Sequence, residues 1–405
     1  MKSRKIYLDN NATTPCDPRV VDTMLPYFYE KSGNAASRNH PFGWEAEEGV
    51  DYAREQVANL IGVSEKEIIF TSGATESDNL ALKGVFEMYK RKGNHIITLK
   101  TEHKAVLDSC DKIEKMGGEV TYLDVERDGR VDLKKLEAAI TSSTVLVSIM
   151  WANNETGVIQ PMKEIGEICE KHGVLFMSDA TQAVGKIPVK PKEVGVHLMA
   201  FTAHKMYGPK GVGALFVNRK NPRVKVTAQM DGGGHERGMR SGTLNVPGIV
   251  GLGKACEIAD QEMLKDAARL SKMRDRLESE LCKIEETYIN GNVDHRMPHV
   301  TNISFKHVEG EGLMMTFNQN IAVSSGSACT SASLEPSYVL IALGLGDDLA
   351  HSSIRFSLGR FTTDEEIDIA IDMLSKGVNH MRDLSPIWEM YKEGVDLDSV
   401  EWSEH

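Results

Sequence analysis

The 405-residue sequence lacks any apolar stretch of the roughly 18 residues that a membrane-spanning helix requires. It also lacks a basic block, since 47 lysines and arginines stand against 59 acidic residues and give a formal net charge of −12. This balance argues against nucleic acid or an anionic membrane surface as the main partner. No apolar run or cleavage site typical of a secretory signal is visible, so the sequence predicts a cytoplasmic protein.

The cysteines show no Cys-x-x-Cys spacing, which argues against a zinc knuckle or a dithiol redox pair. We expect five of them to be reduced and mostly buried thiols. Cys329 differs, because nearly all of its neighbours in the segment SSGSACTSAS are small residues. The cysteines are Cys16, Cys110, Cys169, Cys256, Cys282 and Cys329.

Hydrophobic residues make up 41% of the chain and charged residues 26%, which is typical of a globular protein with a large core. Short apolar runs alternate with helical patterns, and this alternation predicts a mostly parallel sheet covered by helices. The helical patterns include residues 78–92 and 161–172. The apolar runs span residues 67–71, 95–99, 119–123, 144–150, 173–178, 197–202 and 213–217.

A second, smaller α+β region follows the predicted sheet. Apolar residues recur at three- or four-residue steps from Met263 to Ile284, which predicts a long helix. Short strands return at residues 300–305, 321–324 and 353–357. We therefore expect a domain boundary near residues 255–265.

Two polar side chains follow apolar runs at the predicted ligand-binding edge of the sheet. Asp179 ends one run, and Lys205 follows the next with glycines beyond it that permit a tight turn. Such a pair suits pyridoxal phosphate, because the lysine amine forms a Schiff base and the carboxylate keeps a proton on the ring nitrogen. Taken alone, Asp179 also fits a solvated strand-end acid or a helix cap.

A turn of small residues between a strand and a helix start offers a phosphate cradle. Gly73, Ala74 and Thr75 would present backbone N–H groups and a hydroxyl at a helix amino terminus, which favours an anion. Ordinary capping by Ser72 or Thr75 ahead of Glu76 is the alternative.

Three further polar residues are candidates for contact with a cofactor or substrate. Asn154 follows a buried strand and could donate a hydrogen bond to either, although an Asn pair also suits a loop turn. His103 could stack on the cofactor ring and move protons, although a lone histidine is more often structural. Arg355 lies within a strand-like run, where its partner is either a substrate carboxylate or an internal acid.

Several segments together resemble the cysteine desulfurases of the IscS/NifS family, and the resemblance covers essentially the whole chain. The segments are YLDNNATTP (7–15), TSGATESDN (71–79), TEH (101–103), DATQ (179–182), HK (204–205), GGGHERGMRSGT (232–243) and SSGSACTS (324–331). The resemblance implies an α/β protein of fold type I, with a mostly parallel seven-stranded sheet in a pyridoxal-phosphate-binding domain over residues 16–260. Residues 1–15 and 261–405 would form a smaller α+β domain with a mobile cysteine loop and a tail.

The resemblance also implies a role for each site residue. Lys205 is expected to bind the cofactor covalently, Asp179 to pair with its ring nitrogen and Gln182 to bond its phenolic oxygen. His103 is expected to stack on the ring as acid and base, and Cys329 to be the nucleophile that takes the sulfur. The expected phosphate contacts are Ala74, Thr75, Thr202, His204 and, from the neighbouring subunit of a homodimer, Thr243.

The implied reaction converts L-cysteine to L-alanine and leaves the sulfur as a persulfide on Cys329. Asn154, which would contact the cofactor as well, and Arg355 would anchor the substrate. The cysteine loop and the tail resemble the housekeeping branch of the family, so the expected sulfur acceptors are an iron–sulfur cluster scaffold protein and tRNA-thiolation proteins. Cys329 is also a candidate ligand for a transient iron–sulfur cluster shared with the scaffold. The tail aromatics Trp388, Tyr391 and Trp402 either pack on their own domain, or the last turn of the tail, residues 400–405, helps to dock the scaffold.

Two other functions share part of this pattern. Another fold type I enzyme, such as an aminotransferase or a selenocysteine lyase, would keep the cofactor residues, but an aminotransferase would not need Cys329. A non-catalytic sulfur-delivery platform would keep the fold alone. The presence of Lys205, Asp179 and His103 argues against such a platform.

Overall fold

The structure is a computed structural model that describes residues 5–325 and 335–395. Its strands are β1 (Ile6–Tyr7), β2 (Ile68–Thr71), β3 (His95–Leu99), β4 (Glu119–Leu123), β5 (Thr144–Ser148), β6 (Leu175–Asp179), β7 (Leu198–Thr202), β8 (Gly213–Val217), β9 (Thr287–Ile289), β10 (Val300–Phe305), β11 (Ile321–Ala322), β12 (Ser324–Ser325) and β13 (Ser353–Ser357).

The α-helices of these ranges are α1 (Pro18–Met24), α2 (Pro26–Tyr29), α3 (Pro41–Ile61), α4 (Ala74–Tyr89), α5 (Lys104–Lys115), α6 (Leu133–Ala139), α7 (Met162–His172), α8 (Val246–Leu281), α9 (Gly310–Met315), α10 (Tyr338–Ala342), α11 (Asp347–His351), α12 (Asp364–Asp383) and α13 (Pro386–Lys392). Short 3-10 helices span Glu65–Glu67, Pro191–Val194, Ala203–Lys205 and Glu236–Gly238. No helix in the described ranges is long and apolar enough to cross a membrane.

Seven strands form the main sheet, in the order β2-β8-β7-β6-β5-β3-β4. Adjacent strands from β7 to β4 run parallel, whereas β8 runs antiparallel to both β7 and β2. Strands β3, β5, β6 and β7 are buried along their whole length, as expected where helices cover both faces of a sheet. The predicted α/β fold with a mostly parallel, seven-stranded sheet is confirmed.

Most predicted elements agree closely with the structure. The strands predicted at 95–99, 119–123, 213–217, 300–305 and 353–357 have the expected bounds. The helices predicted at 78–92 and 161–172 are α4 and α7, although α4 already begins at Ala74. The single strand predicted at 321–324 is wrong, because Val323 separates the short strands β11 and β12.

The 36-residue helix α8 contributes to two hydrophobic cores. Its first half, as far as Met263, packs with residues of the main sheet and α3. Leu270 and Leu277 in its second half pack instead with β10, β13 and α12. Helix α8 therefore passes from one hydrophobic core to the other between Met263 and Leu270. The division into a domain of residues 16–260 and a second domain stays a prediction.

The amino-terminal segment links the two cores. Strand β1 pairs with β11, and Ile6 and Leu8 are buried in the core beside the antiparallel sheet β12-β13-β10-β9. The chain then crosses to the main sheet, where the Thr14 N–H donates to the carbonyl of His204 at 2.8 Å. Residues 9–13 consequently lie between the cores, next to the carboxyl edge of the main sheet.

All five cysteines in the described ranges are free thiols. Cys110, Cys169 and Cys256 are buried as expected, whereas Cys16 is partly buried and Cys282 is exposed. The expectation of mostly buried thiols is therefore wrong for Cys282, which follows the last turn of α8. Cys329 lies outside the described residues.

Two of the tail aromatics pack on their own domain. The rings of Trp388 and Tyr391 stack with centroids 5.3 Å apart, and the Arg382 guanidinium lies 4.3 Å from the centroid of Trp388. The Tyr391 hydroxyl donates to Glu286 at 3.1 Å. These contacts favour the packing alternative over docking for the two residues, while the tail beyond residue 395 lies outside the described ranges.

Candidate active site

A cavity of about 670 Å³ opens at the carboxyl edge of the main sheet. Parallel strands end at the same edge, so the polar residues that follow them converge there. Thr243 is exposed and is not among the residues that line this cavity. The predicted site residues that line it are Ala74, Thr75, His103, Asn154, Asp179, Gln182, Thr202, His204, Lys205 and Arg355.

Asp179 is the last residue of β6 and lines the cavity with only 5% of its surface exposed. Its Oδ1 accepts a hydrogen bond from the Thr181 backbone N–H at 2.9 Å, which holds the carboxylate in place. Asp179 is therefore not the solvated strand-end acid that the sequence left open. A carboxylate fixed at this depth can keep a proton on a ring nitrogen.

Lys205 ends the 3-10 turn that directly follows β7. The chain turns away just after it, and Tyr207 has a positive φ of 65°. The Lys205 Nζ donates to the backbone carbonyls of Asn11 and Ala12, the second at 2.7 Å. Two carbonyls of the amino-terminal segment thus orient the amine at the cavity wall.

His103 caps the amino terminus of α5, because its Nδ1 accepts the Ala105 backbone N–H at 3.1 Å. A ring nitrogen that accepts an N–H carries no hydrogen, so the neutral ring carries its hydrogen on Nε2. Burial lowers the pKa of His103 below its usual value, with Asp179 opposing and Lys205 reinforcing the shift. The structure therefore presents a neutral imidazole whose Nε2–H is the donor.

His204 and Thr202 line the side of the cavity next to β8. Burial, reinforced by Lys205 and Lys210, lowers the pKa of His204 to about 4, so its ring is neutral near pH 7. Its Nδ1 lies 3.1 Å from the Thr13 hydroxyl. The Thr202 hydroxyl donates to the Val212 carbonyl at 3.1 Å. To donate to a phosphate instead, the hydroxyl has to give up this hydrogen bond.

The amino terminus of α4 has the features of an anion cradle. Gly73 occupies the cap position and no side chain caps the helix, so neither Ser72 nor Thr75 plays the ordinary capping role. Glu76 instead accepts the Ser72 N–H at 2.7 Å and pairs with Arg240. The uncapped N–H groups at the start of this 16-residue helix favour a bound anion.

The two asparagines after β5 divide the roles that the sequence left open. Asn153 makes the turn, because its Oδ1 accepts the N–H groups of Glu155 and Thr156 at 2.9 and 3.0 Å. Asn154 lines the cavity, and its Oδ1 is buried with no hydrogen-bond partner among the described residues. A ligand in the cavity would complete the hydrogen bonding of Asn154.

Arg355 has an internal acid as a partner, which was one of the two alternatives predicted for it. Its Nη2 forms an ion pair with Asp9 at 2.9 Å and also donates to the Ser324 hydroxyl at 3.0 Å. Its Nη1 donates to the Asn154 carbonyl at 3.1 Å, while Nε is buried with no partner in the described ranges. Arg355 also lines the cavity, while an internal acid holds its guanidinium in place. Its contact with a substrate carboxylate stays a prediction.

The sequence reasoning missed the contribution of residues 9–13. Asp9, Asn11, Ala12 and Thr13 line the cavity, and Asn11 is only 1% exposed. The segment YLDNNATTP is part of the family resemblance, and this resemblance was the only indication in the sequence that residues 9–13 belong to the site. No local pattern assigns a role to Asn11, because its partners Asn154 and Lys205 lie more than 140 positions away.

The cavity fits pyridoxal phosphate. The uncapped start of α4 suits the phosphate, Asp179 the ring nitrogen and Lys205 the aldehyde. The unpartnered Oδ1 of Asn154 and Nε of Arg355 are buried polar atoms that an occupant would satisfy. Within the described ranges, no group of three or more His, Cys, Asp or Glu side chains could hold a metal ion. The assignment of Cys329 as an iron–sulfur ligand stays a prediction.

Comparison with known proteins identifies related chains. The class-V aminotransferase family model matches residues 6–369. The chain is 59% identical over 402 residues to cysteine desulfurase IscS of Escherichia coli O139:H28, with 99% of each chain covered. A NifS-like protein of solved structure has a TM-score of 0.85 and 39% identity, covering 93% of this chain and 98% of that one. The structure of SspA in complex with cysteine has a TM-score of 0.78 and 32% identity, covering 88% and 100%.

Proposed function

This chain belongs to the cysteine desulfurases of the class-V aminotransferase family, and we propose that Lys205, His103 and Cys329 carry its reaction. It is a pyridoxal-phosphate-dependent enzyme that converts L-cysteine to L-alanine and retains the sulfur. One observation carries the assignment of the cofactor and substrate residues: Lys205, Asp179 and Arg355 meet in a single cavity. They suit the cofactor aldehyde, its ring nitrogen and the substrate carboxylate respectively.

The cofactor, when bound, supplies an electron-poor ring that stabilises negative charge at the substrate α-carbon. Asp179 places a negative charge beside the ring nitrogen and keeps a proton there. The Lys205 Nζ is the proposed base for the α-proton, and the carbonyls of Asn11 and Ala12 orient it. His103 donates from Nε2, because accepting a proton at Nδ1 would break its bond to the α5 backbone.

Cys329 is the proposed acceptor of the sulfur. Its thiolate attacks the substrate sulfur, a sulfur–sulfur bond forms and the carbon–sulfur bond breaks. The electron pair of the broken bond stays with the carbon fragment, which gains protons and leaves as alanine. This assignment rests on the small-residue segment around Cys329 and on the family resemblance, because the residue lies outside the described ranges.

Arg355 and Asn154 are the proposed anchors of the substrate. The guanidinium is 5% exposed and held by Asp9, so it is oriented before any ligand binds. Its Nε has no partner in the described ranges and is a further donor for a carboxylate. The Oδ1 of Asn154 is an acceptor, so it is assigned to a hydrogen donor of the ligand and not to the carboxylate.

We expect Arg355→Leu to weaken L-cysteine binding by roughly a hundredfold, because a buried charge-assisted pair is lost. Cysteamine lacks the carboxylate, so its binding should change little in the same variant. Binding is measured from the change in absorbance of the bound cofactor upon titration with each thiol. Equal weakening for both compounds would contradict a carboxylate contact, and Arg355→Lys serves as the charge-retaining comparison.

A homodimer is the proposed active form. Large aromatic side chains are exposed on α2 and the first half of α3, and the Tyr27 ring on α2 lies against α3 at Gly49. Exposed apolar groups of this size are typical of a protein interface. Thr243 is likewise exposed outside its own cavity, where a second subunit could use it. The exposed aromatic residues are Phe28, Tyr29, Phe42, Trp44 and Tyr52.

Light scattering on the purified enzyme is expected to give the mass of two chains. The double substitution Phe28→Asp and Tyr29→Asp should shift that mass toward one chain, because charges would replace exposed apolar contacts. Met315→Asp is the control, since Met315 is 70% exposed on α9, away from α2 and α3 in the sequence. A one-chain mass for the wild type, or an unchanged dimer in the double variant, would count against this interface.

The sulfur acceptors are proposed to be an iron–sulfur cluster scaffold protein and proteins of tRNA thiolation. The high identity to IscS supports this proposal, because the resemblance to the housekeeping branch of the family implies these acceptors. The cytoplasmic location stays a prediction from the sequence.

A further inference from the structure

A second lysine lies behind the cavity wall. Lys186 is 8% exposed and follows Gln182 by four positions. Its Nζ lies 3.0 Å from the His299 Nε2 and 3.4 Å from both the Asn11 Oδ1 and the Gln182 Oε1. All three partners are uncharged groups when the imidazole is neutral. A lysine buried among such partners has no role in the mechanism described above.

Asn11 connects this lysine to the reacting groups. Its backbone carbonyl accepts hydrogen bonds from the Lys205 Nζ and, at 3.1 Å, from the Gln182 Nε2. Its side-chain Oδ1 lies 2.9 Å from the His299 Nε2, and its Nδ2 donates to the Asn154 carbonyl at 3.0 Å. The position of Asn11 therefore determines where the Lys205 amine and the Gln182 amide point.

The hydrogen bonds determine the protonation of the pair. The donation from Nδ2 to Asn154 makes Oδ1 the acceptor of the Asn11 amide, so the His299 Nε2, 2.9 Å away, must carry a hydrogen. A ring nitrogen that carries a hydrogen cannot accept a hydrogen bond from an ammonium group 3.0 Å away. A neutral amine fits at this distance, because its lone pair can accept the ring hydrogen. A neutral Lys186 then donates to Asn11 and Gln182. Its lone pair shares the single His299 Nε2 hydrogen with the Asn11 Oδ1.

Burial and nearby charge act in the same direction. Burial, with the positive charges of Lys205 and Arg355, lowers the pKa of Lys186 well below its usual value. Burial, with Lys186 and Arg274, lowers the pKa of His299 as well. The His299 Nδ1 is buried without a partner in the described ranges, which suits an unprotonated nitrogen better than an N–H.

We propose that Lys186 and His299 are positioning residues that act as a neutral amine–imidazole pair. They hold Asn11 so that its backbone carbonyl directs the Lys205 amine and one Gln182 N–H, leaving the second Gln182 N–H for the cofactor's phenolic oxygen. The proposal rests on the roles assigned to Lys205 and Gln182 in the proposed function. It predicts that Lys186 tunes the proton affinity of the bound cofactor without touching it.

The test is a pH titration of the visible absorbance of the cofactor-loaded enzyme, combined with its rate of cofactor loss. Lys186→Met should raise the titration midpoint by at least about half a unit, because a misplaced Gln182 stabilises the anionic phenolic oxygen less well. Lys186→Arg should lower it, because a permanent cation then lies near the cofactor. Cofactor loss from Lys186→Met should be roughly tenfold faster.

Matched variants separate this role from simple packing. Lys163→Met removes an exposed lysine of α7 and should leave both readouts unchanged. His299→Gln keeps a donor for Asn11 and should stay close to the wild-type midpoint, whereas His299→Leu should shift it upward. If Lys186→Met does not fold, the two His299 variants decide the question.

Folded Lys186 and His299 variants with wild-type midpoints and cofactor retention would overturn the proposal. Its failure is distinguishable from failure of the proposed function. If the Lys205→Ala enzyme kept the visible band of the wild type, the assignment of Lys205 itself would be wrong. If the Lys205→Ala enzyme loses that band but the Lys186 and His299 variants keep the wild-type midpoint and rate of cofactor loss, only the positioning role is wrong.

Discussion

Replacing Lys205 with alanine is expected to lower the turnover of L-cysteine at least about a thousandfold. The variant loses both the amine that bonds the cofactor aldehyde and the proposed base for the α-proton. The Asn11 and Ala12 carbonyls that orient the amine would remain but have no donor from this side chain. Alanine release measures turnover, and the visible absorbance of the bound cofactor measures the covalent bond.

Lys163→Ala is the control for this substitution, because Lys163 is exposed on α7. It should show the turnover and absorbance of the wild type. A Lys205→Ala enzyme that kept its turnover would remove the basis for the proposed mechanism. A wild-type protein without the visible band, after loading with pyridoxal phosphate, would instead favour the non-catalytic platform.

Cys329→Ser is expected to retain cofactor absorbance and L-cysteine binding but to lose desulfuration by at least about a thousandfold. A hydroxyl is a far weaker nucleophile toward sulfur than a thiolate. The residues assigned to the cofactor and the substrate, among them Lys205, Asp179 and Arg355, are unchanged in this variant. Alanine and sulfide are both measured, with a reductant present to release any persulfide sulfur.

Cys282→Ser provides the control, since Cys282 is an exposed free thiol at the end of α8. Its turnover should match that of the wild type. Desulfuration that survived in Cys329→Ser would contradict the sulfur-acceptor role. It would favour another fold type I reaction, for which this cysteine is not needed.

The sheet and its ligand-binding edge were predictable because they depend on local patterns. Apolar runs such as β3 and β8 were recognised with their observed bounds. Asp179 at the end of β6 and Lys205 in the turn after β7 marked the edge. Asp179 and Lys205 could therefore be assigned to one site before any contact was known. Parallel strands bring such residues together whatever the distance along the chain.

The first half of α8 escaped prediction because glycines interrupt its helical pattern. A side chain at Gly253 would collide with the backbone of Ala53 on α3 at 2.6 Å, and one at Gly251 would collide with Met24 and Pro209. The first half of α8 packs closely against other elements on several sides, so it needs small residues. Its sequence therefore lacks the single apolar face by which a helix is recognised. The second half has one buried face, and its pattern was visible from Met263 onward.

The supporting residues of the site could not be predicted, because their contacts are long-range. Asn11 reaches Lys186 and His299, which lie 175 and 288 positions away in the sequence. Neither the burial of Lys186 nor the tautomer of His299 has a local signature. Likewise, spacing could not show that Arg355 pairs with Asp9 while also lining the cavity.

The central claim is that Cys329 receives the sulfur as alanine is formed, and one measurement tests it directly. The cofactor-loaded wild-type enzyme is incubated with L-cysteine, and alanine is quantified while the intact cysteine-containing peptides are weighed by mass spectrometry. The account predicts one alanine released in the first turnover for each Cys329 peptide that gains the mass of one sulfur atom. Alanine released without that gain, or with the gain on Cys16 or Cys282 instead, would contradict it.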